Sequence, residues 1–302
     1  MKKIKYIIIP CLMVFFTSCE DEFIDLDPPA SITDQVYYTE ADHFLTGSNR
    51  FYTDLMTWRY DQGIYADHGS DLVGYTEDSD MQIYSRGDTR APESDGYYST
   101  PYSTIRDINL LLQRAEAYEG EESIVPYVAA SKFHRAYQYF NLVQRFGGVP
   151  LVTRPLDVGD EELNAPRSSR YQVVAQILAD LDDAIAGLPT EQEIASEDKG
   201  KISKWAAMAF KADVLLHEAT WMKYVGTSTD GDGTSTGAGS EGFNASNIDV
   251  YLQEVVTLTK TVMDQGGFEL WDYNDELDNL SSNFLFNLED GGSNPAGLDK
   301  AT

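Results

Sequence analysis

The string Gly233-Thr-Ser-Thr-Gly237 has the residue types of a nucleophile elbow, in which a serine sits on a sharp turn between a strand and a helix. Residues 226–246 around it are rich in Gly, Ser and Thr, which predicts a flexible excursion without those flanking elements. A hydrolase triad on such an elbow also needs a later histidine, yet all four histidines precede Ser235. We therefore interpret the string as a coincidence of composition.

Zinc-ligand spacing is also incomplete. His217-Glu218 begins like the helix of a zinc protease, but Trp221 stands where the second histidine ligand is needed. The histidines are scattered, and the two cysteines, Cys11 and Cys19, both lie within the first twenty residues. The sequence therefore predicts neither a zinc site nor a disulfide.

Carboxylates are too numerous to mark a site by themselves. Asp230 and Asp232 have the first spacing of a calcium loop but lack its remaining ligands. With 50 acidic residues, many carboxylate pairs will be close by chance, so a glycosidase pair cannot be picked out. We expect no catalytic residues, no metal and no cofactor, and hence a protein that is not an enzyme.

The segment from Thr57 to Ser99 combines helix breakers with seven aromatic residues. A segment of this length without regular structure is usually functional. An aromatic ring offers a flat apolar face to the C–H groups of a sugar, and interleaved polar side chains can hydrogen-bond the sugar hydroxyls. We predict a glycan site here, with these candidate ligand-binding residues: Tyr65, Asp67, Asp71, Tyr75, Tyr84 and Arg86.

For each of these tyrosines the alternative is that it packs the segment onto the helices, since half-buried tyrosine is common. Trp58 is predicted to belong to the core, and Trp221 with Tyr224 forms a second candidate patch of lower rank. Polar residues beside buried stripes are interpreted as hydrogen bonders that hold the fold: Asn109, Arg135 and Gln138.

Amphipathic helices would position these residues. Apolar residues recur at three-to-four spacing from Tyr127 to Phe146, where Pro126 suits a first helical position and Gly147-Gly148 a C-terminal cap. Further helix starts are predicted at Thr39, Pro101, Ser169, Ser203 and Ile248. The helix after Ser203 is expected to bury Trp205, Ala209, Ala212, Leu216 and Ala219. This periodicity predicts a mostly α fold.

The charge of the 302-residue chain is strongly negative, with 22 basic and 50 acidic residues giving −28. A field of that sign repels nucleic acid and anionic membranes, so no nucleic-acid partner is predicted. It is compatible with neutral ligands and basic partner surfaces.

Residues 1–18 join a basic start to a short apolar run, which predicts a secretory signal. Phe16-Thr17-Ser18-Cys19 follows the pattern of a lipoprotein cleavage site, so Cys19 would carry acyl chains such as palmitate. A plain signal peptide with an incidental cysteine is the alternative. We expect 19–32 to be an acidic tether, 33–290 a helical domain and 291–302 a disordered tail.

Three segments of the chain resemble the SusD/RagB family of surface lipoproteins from Bacteroidetes-like bacteria: Ala129–Val152 with its RFGGVPLV exit, Tyr102-STIRDINLLL and Lys201-ISKWAAMAFKADVLLHEA. The acidic residues after Cys19 add to the resemblance. It implies an irregular tetratricopeptide-like helical-repeat scaffold with long loops that carry a glycan site. It also implies a lipid-anchored protein of the cell outer membrane that faces the exterior and delivers oligosaccharide to a SusC-like TonB-dependent transporter.

Two alternatives stay open within that resemblance. Some RagB-type relatives look like peptide-capture proteins, so the ligand could be a peptide or protein. An anchor that faces the periplasm is compatible with the same residues. Family members are usually considerably longer, so the chain resembles the N-terminal portion of one, without the C-terminal part.

Overall fold

The computed structural model describes residues 37–55, 93–225 and 240–287, and within these ranges the regular structure is helical, without strands. This confirms the mostly α prediction. The α-helices are α1 (Ala41–Arg50), α2 (Gly96–Glu116), α3 (Val125–Phe146), α4 (Arg170–Gly187), α5 (Lys204–Tyr224), α6 (Asn247–Gln265) and α7 (Ser281–Asn287). Short 3₁₀ helices cover Phe51–Asp54, Glu161–Asn164 and Ser196–Asp198.

Consecutive helices pack on one another in chain order from α2 to α6, and α1 contacts both α2 and α3. The largest buried cluster joins apolar side chains of α2, α3, α4 and α5. Two smaller clusters lie between α1 and α2 and between α5 and α6. Successive packed helices of this kind form the expected tetratricopeptide-like scaffold.

The central helix α3 is confirmed, with Pro126 in its first turn. Gly147 ends it with a φ of 70°, a conformation that glycine adopts at little cost. Gly148 allows a close approach, because a Cβ there would lie 2.3 Å from the carbonyl oxygen of Ser168. The N–H of Ser168 in turn donates to the carbonyl of Val149 at 3.1 Å. The glycine pair therefore ends α3 and lets the returning chain pair with its exit.

Two predicted helix starts are wrong. α1 begins at Ala41, with Glu40 at the N-cap and no side-chain cap. The backbone N–H of Thr39 donates instead to Nδ1 of His43 at 3.4 Å. α2 begins five residues before Pro101, because the carboxylate of Asp95 caps it by accepting from the N–H of Tyr97 at 2.9 Å. Pro101 is accommodated one turn into the helix.

The predicted start of α4 at Ser169 is confirmed. Ser169 and Gln172 form a reciprocal capping box: the Ser169 hydroxyl accepts from the Gln172 N–H at 3.1 Å, and the Gln172 amide oxygen accepts from the Ser169 N–H at 2.9 Å. The helix ends at Gly187. Its start is thus fixed by residues of its own sequence.

The buried face of α5 differs from the predicted stripe. Ser203 caps the helix as predicted, by accepting from the N–H of Ala206. Ala209 and Leu216 are exposed, however, and the buried apolar residues are Trp205, Ala207, Met208, Ala212, Val214, Leu215, Ala219 and Met222. α4 and α6 both contact α5, so two faces are covered where one stripe was expected.

α6 matches its prediction, from Asn247 to Gln265, and Gly266 follows it. None of the helices in the described ranges is long and apolar enough to cross a membrane. Several predictions concern residues outside these ranges: the signal 1–18, Cys19, the tether 19–32, Trp58, the Gly233–Gly237 string, Asp230 and Asp232, and the tail 291–302.

Candidate ligand-binding cleft

The six predicted ligand-binding residues, Tyr65, Asp67, Asp71, Tyr75, Tyr84 and Arg86, lie outside the described residues. The structure does define where their segment joins the scaffold. Leu55 follows the first 3₁₀ helix, and Glu93 precedes the start of α2. Neighbours of both junctions line one cleft, so the predicted binding segment leaves and re-enters the scaffold beside it.

The cleft has a volume of about 950 Å³ and lies between the first 3₁₀ helix, the first turns of α2 and the second half of α3. Its lining combines two tyrosines with amides, hydroxyls, carboxylates and one guanidinium: Thr53, Asp54, Ser94, Asp95, Gly96, Tyr97, Thr100, Pro101, Tyr137, Gln138, Asn141, Gln144 and Arg145. Asp54 also accepts from the Thr104 hydroxyl at 2.9 Å, which fixes the 3₁₀ helix to α2.

Tyr97 is the most exposed ring on this lining, with 66% of its surface accessible. The guanidinium carbon of Arg145 lies 3.7 Å from its ring centroid. Nε of Arg145 also lies 4.0 Å from a carboxylate oxygen of Asp95, the residue that caps α2. Tyr97, Arg145 and Asp95 thus form a connected unit in which a cation covers one face of an exposed ring.

Asn141 and Gln144 extend the polar lining along α3, next to Arg145. An amide group both donates and accepts hydrogen bonds, as a sugar hydroxyl does. Polar groups beside an aromatic face are therefore suited to a polyhydroxylated ligand. Sequence analysis placed Tyr97 in the aromatic segment but missed these α3 residues. Their signal was the run of polar residues at positions 141, 144 and 145 near the end of α3.

The predicted fold-holding role of Asn109 and Arg135 is confirmed. Arg135 donates to both carboxylate oxygens of Asp180, at 2.8 and 2.6 Å, and to the amide oxygen of Asn109 at 2.8 Å. The Asn109 amide donates onward to the carbonyl of Val152 at 3.0 Å. Gln138 is also buried, and it lines the cleft. This network joins α2, α3 and α4.

The segment 149–154, which we call the strap, is tied to α2 and α3 by side chains. The hydroxyl of Tyr139 donates to the Val152 carbonyl at 2.8 Å and accepts from the Val152 N–H at 2.7 Å. Tyr102 donates to the carbonyl of Pro150 at 2.6 Å. Burial raises the pKa of Tyr139 to about 12 and also raises the pKa of Tyr102, so both hydroxyls stay protonated at neutral pH.

The second candidate patch is divided between core and surface. The guanidinium of the buried Arg170 lies 4.3 Å from the Trp221 ring centroid and donates to Glu218 at 2.8 Å. Tyr224, by contrast, is 77% exposed. Arg170 also contacts Nδ1 of His217, which must act as the acceptor because a guanidinium only donates.

His217 and Glu218 both contact the guanidinium of Arg170. Burial raises the pKa of Glu218, whereas burial and the Arg170 charge lower the pKa of His217. Among residues 37–55, 93–225 and 240–287, no cluster of three or more His, Cys, Asp or Glu side chains could hold a metal ion.

His134 is a buried titratable group on the inner side of the first 3₁₀ helix. It is fully buried, and neither ring nitrogen has a hydrogen-bond partner. Its ring centroid lies 4.8 Å from that of Tyr52 and 5.9 Å from that of Phe51. Burial lowers its pKa to about 4, so the imidazole is neutral at pH 7.

The fold defines an all-helical, tetratricopeptide-like scaffold, and comparison with known families makes the assignment specific. A family described as "Starch-binding associating with outer membrane" matches residues 31–216. The chain belongs to this SusD-like family, which confirms the resemblance seen in the sequence.

Curated relatives include the SusD-like protein P25 of Formosa agariphila, 25% identical over 240 residues, which cover 72% of this chain and 44% of the relative. A SusD-like protein of Bacteroides ovatus is 24% identical, covering 76% of this chain and 42% of that protein. The chain therefore spans less than half the length of these relatives.

Solved structures give the same fold. A SusD-like protein of Bacteroides fragilis superposes with a TM-score of 0.55 at 22% identity, covering 82% of this chain and 42% of that one. A structure titled as a laminarin-binding SusD-like protein has a TM-score of 0.53 and 25% identity, with 82% of this chain and 49% of that chain covered.

Proposed function

We propose that this protein is a non-enzymatic, glycan-binding surface lipoprotein. It captures an oligosaccharide or polysaccharide and delivers it to a SusC-like TonB-dependent transporter of the outer membrane. Family membership supports the proposal, as do the laminarin-binding relative and the family's description as starch-binding and outer-membrane associated. The net charge of −28 is compatible with an uncharged ligand.

The single observation that carries the proposal is the cleft of about 950 Å³ beside the junctions of the 56–92 segment. It offers an exposed ring, Tyr97, together with the amides of Asn141 and Gln144. Six further residues are proposed to add aromatic rings and hydrogen bonds to the sugar hydroxyls from the same side: Tyr65, Asp67, Asp71, Tyr75, Tyr84 and Arg86. Such a surface binds sugars through C–H contacts and hydrogen bonds and needs no reacting group.

We propose that the protein is held at the cell surface by acyl chains on Cys19. Residues 19–32 then serve as the acidic tether, and residues 33–290 form the binding domain. Several buried acyl chains, each contributing ~0.8 kcal/mol per CH₂, make such an anchor effectively permanent. Mass spectrometry of the protein extracted from membranes tests this: a Cys19→Ala variant is expected to lose the lipid mass and to leave the membrane fraction.

The function is tested by affinity electrophoresis and calorimetry with the protein lacking residues 1–19, against a panel of neutral and acidic polysaccharides. Binding to at least one glycan is expected, and it should weaken at least tenfold in Tyr97→Ala. Phe268→Ala is the control, because Phe268 is another exposed ring that lies outside the cleft. Failure to bind any glycan, with helicity intact by circular dichroism, would contradict the proposal.

Peptide capture is the second candidate, and a groove of about 640 Å³ favours it. This groove runs across α3 between α2 and α4, and its lining includes Gln113, Lys132, Arg135 and Asp183. Concave surfaces of helical repeats commonly bind polypeptide. Retention of peptides, and of no glycan, by the immobilised protein would favour this candidate.

A further inference from the structure

The ring of Tyr97 is in contact with the side chain of Arg145. Tyr97 lies in the first turn of α2, and Arg145 in the last turn of α3 places its guanidinium carbon 3.7 Å from the ring centroid. Two-thirds of the Tyr97 surface nevertheless remains accessible. A cation therefore lies over the ring, while most of the surface of Tyr97 stays accessible to a ligand.

Asp95 links the backbone of Tyr97 to this cation. One carboxylate oxygen of Asp95 accepts from the Tyr97 N–H at 2.9 Å, and the other lies 4.0 Å from Nε of Arg145. An anion at the start of α2 and a cation at the end of α3 each complement the dipole of their helix. The same carboxylate thus caps the helix that carries the ring and lies close to the cation that covers the ring.

An exposed tyrosine without such a neighbour samples several rotamers, and binding must then immobilise it. A ring already held in one orientation avoids that entropic cost. The guanidinium is planar and can stack on an aromatic face, which a lysine ammonium cannot do in the same way. Arg145 therefore has the geometry to keep the ring oriented before the ligand arrives.

We propose that Arg145 is a positioning residue, which holds Tyr97 flat so that the outer ring face serves as a platform for a sugar. This inference rests on the proposed glycan-binding function and deepens it. Arg145 acts through Tyr97, so its loss should matter only while the tyrosine ring is present.

A double-mutant cycle tests this dependence. We expect Tyr97→Ala to weaken glycan binding at least tenfold and Arg145→Ala to weaken it about two- to tenfold, the range for freeing one side chain. The double variant should bind no more weakly than Tyr97→Ala alone. Arg145→Lys should restore only part of the affinity. Arg106→Ala is the matched control, because Arg106 is an exposed arginine of α2 outside this cleft.

A readout without ligand separates this inference from the proposed function. The protein is labelled with 3-fluorotyrosine for fluorine NMR, and the Tyr97 signal is assigned as the one that Tyr97→Phe removes. In Arg145→Ala this resonance should move toward its random-coil position. In Arg106→Ala it should stay in place. If that shift occurs but no glycan binds, the positioning role stands and the proposed function fails. An unchanged resonance, or additive losses of binding in the double variant, would overturn the positioning role.

Discussion

Arg135 donates to both carboxylate oxygens of Asp180, at 2.8 and 2.6 Å, and both side chains are almost completely buried. This pair joins α3 to α4 below the surface. Through Asn109, which accepts from Arg135, it also reaches α2 and the strap. Three helices and the chain that follows α3 therefore depend on one buried ion pair and its hydrogen bonds.

Removing one partner of this pair should be costly. Asp180→Asn leaves the Arg135 charge buried without its counter-ion, and we expect a loss of about 3–5 kcal/mol in unfolding free energy, measured by urea denaturation. Asp264→Asn on α6 is the matched control, because the Lys260–Asp264 pair is exposed on the surface. Its urea midpoint should not change. Equal midpoints for the two variants would contradict the importance of the buried pair.

Gly148 should tolerate no side chain, since a Cβ would lie 2.3 Å from the carbonyl oxygen of Ser168. We expect Gly148→Ala to lower the melting temperature, with a loss of roughly 1–3 kcal/mol from the forced backbone shift. Gly96→Ala provides the comparison, because a Cβ at Gly96 meets nothing within 4 Å. That variant should be neutral or slightly stabilising, and a fall in its melting temperature would count against this explanation.

The Tyr139 hydroxyl should be needed to hold the strap. Tyr139→Phe removes a group that both donates to and accepts from the backbone of Val152, and it leaves the half-buried Val152 N–H without this partner. A loss of about 1–3 kcal/mol is expected. Amide exchange at Val152 should accelerate more than exchange at residues in the middle of α3. The exposed Tyr224→Phe should alter neither quantity.

His134 should make the fold sensitive to acid. Burial lowers its pKa from the ordinary value of 6.5 to about 4. Between those values the unfolded chain binds a proton that the folded chain does not, so stability falls as the pH drops from about 6.5 toward 4. The loss of unfolding free energy that His134 causes reaches ~3 kcal/mol near pH 4, and there is no such loss above about pH 6.5.

His134→Leu isolates this contribution. The carboxylates that titrate in the same range are shared by both proteins, so the difference between their stability curves reports on His134 alone. We expect the wild-type curve to fall more steeply than that of the variant between pH 6.5 and 4 in urea titrations. Parallel curves would show that His134 is not protonated on unfolding.

Tyr75 and Tyr84 should affect ligand binding more than stability if they belong to the proposed glycan surface. We expect Tyr75→Ala and Tyr84→Ala to weaken glycan binding several-fold in calorimetry, with melting temperatures within a degree or two of the wild type. A large thermal loss instead would identify these rings as part of the core.

Much of the helical scaffold is determined by local sequence. The capping box of Ser169 and Gln172, the cap at Ser203 and the glycines after Phe146 satisfy helix ends through neighbours within a few residues. Such signals act over one turn and can be read without knowledge of the tertiary fold. The two wrong starts also have local causes, since at α2 the carboxylate of Asp95 prevails over a proline signal.

Tertiary structure decided which faces are buried and which polar groups meet. Leu216 is exposed because α4 and α6 cover other faces of α5. The apolar pattern of α5 alone does not show on which sides its two neighbouring helices will pack. Arg145 and Tyr97 are 48 positions apart, and only the packing of α2 on α3 brings the guanidinium to the ring. The sequence alone identified the helices α1 to α6, whereas α7 was not predicted. The cleft beside the junctions of the 56–92 segment exists because long-range packing places separate helices side by side.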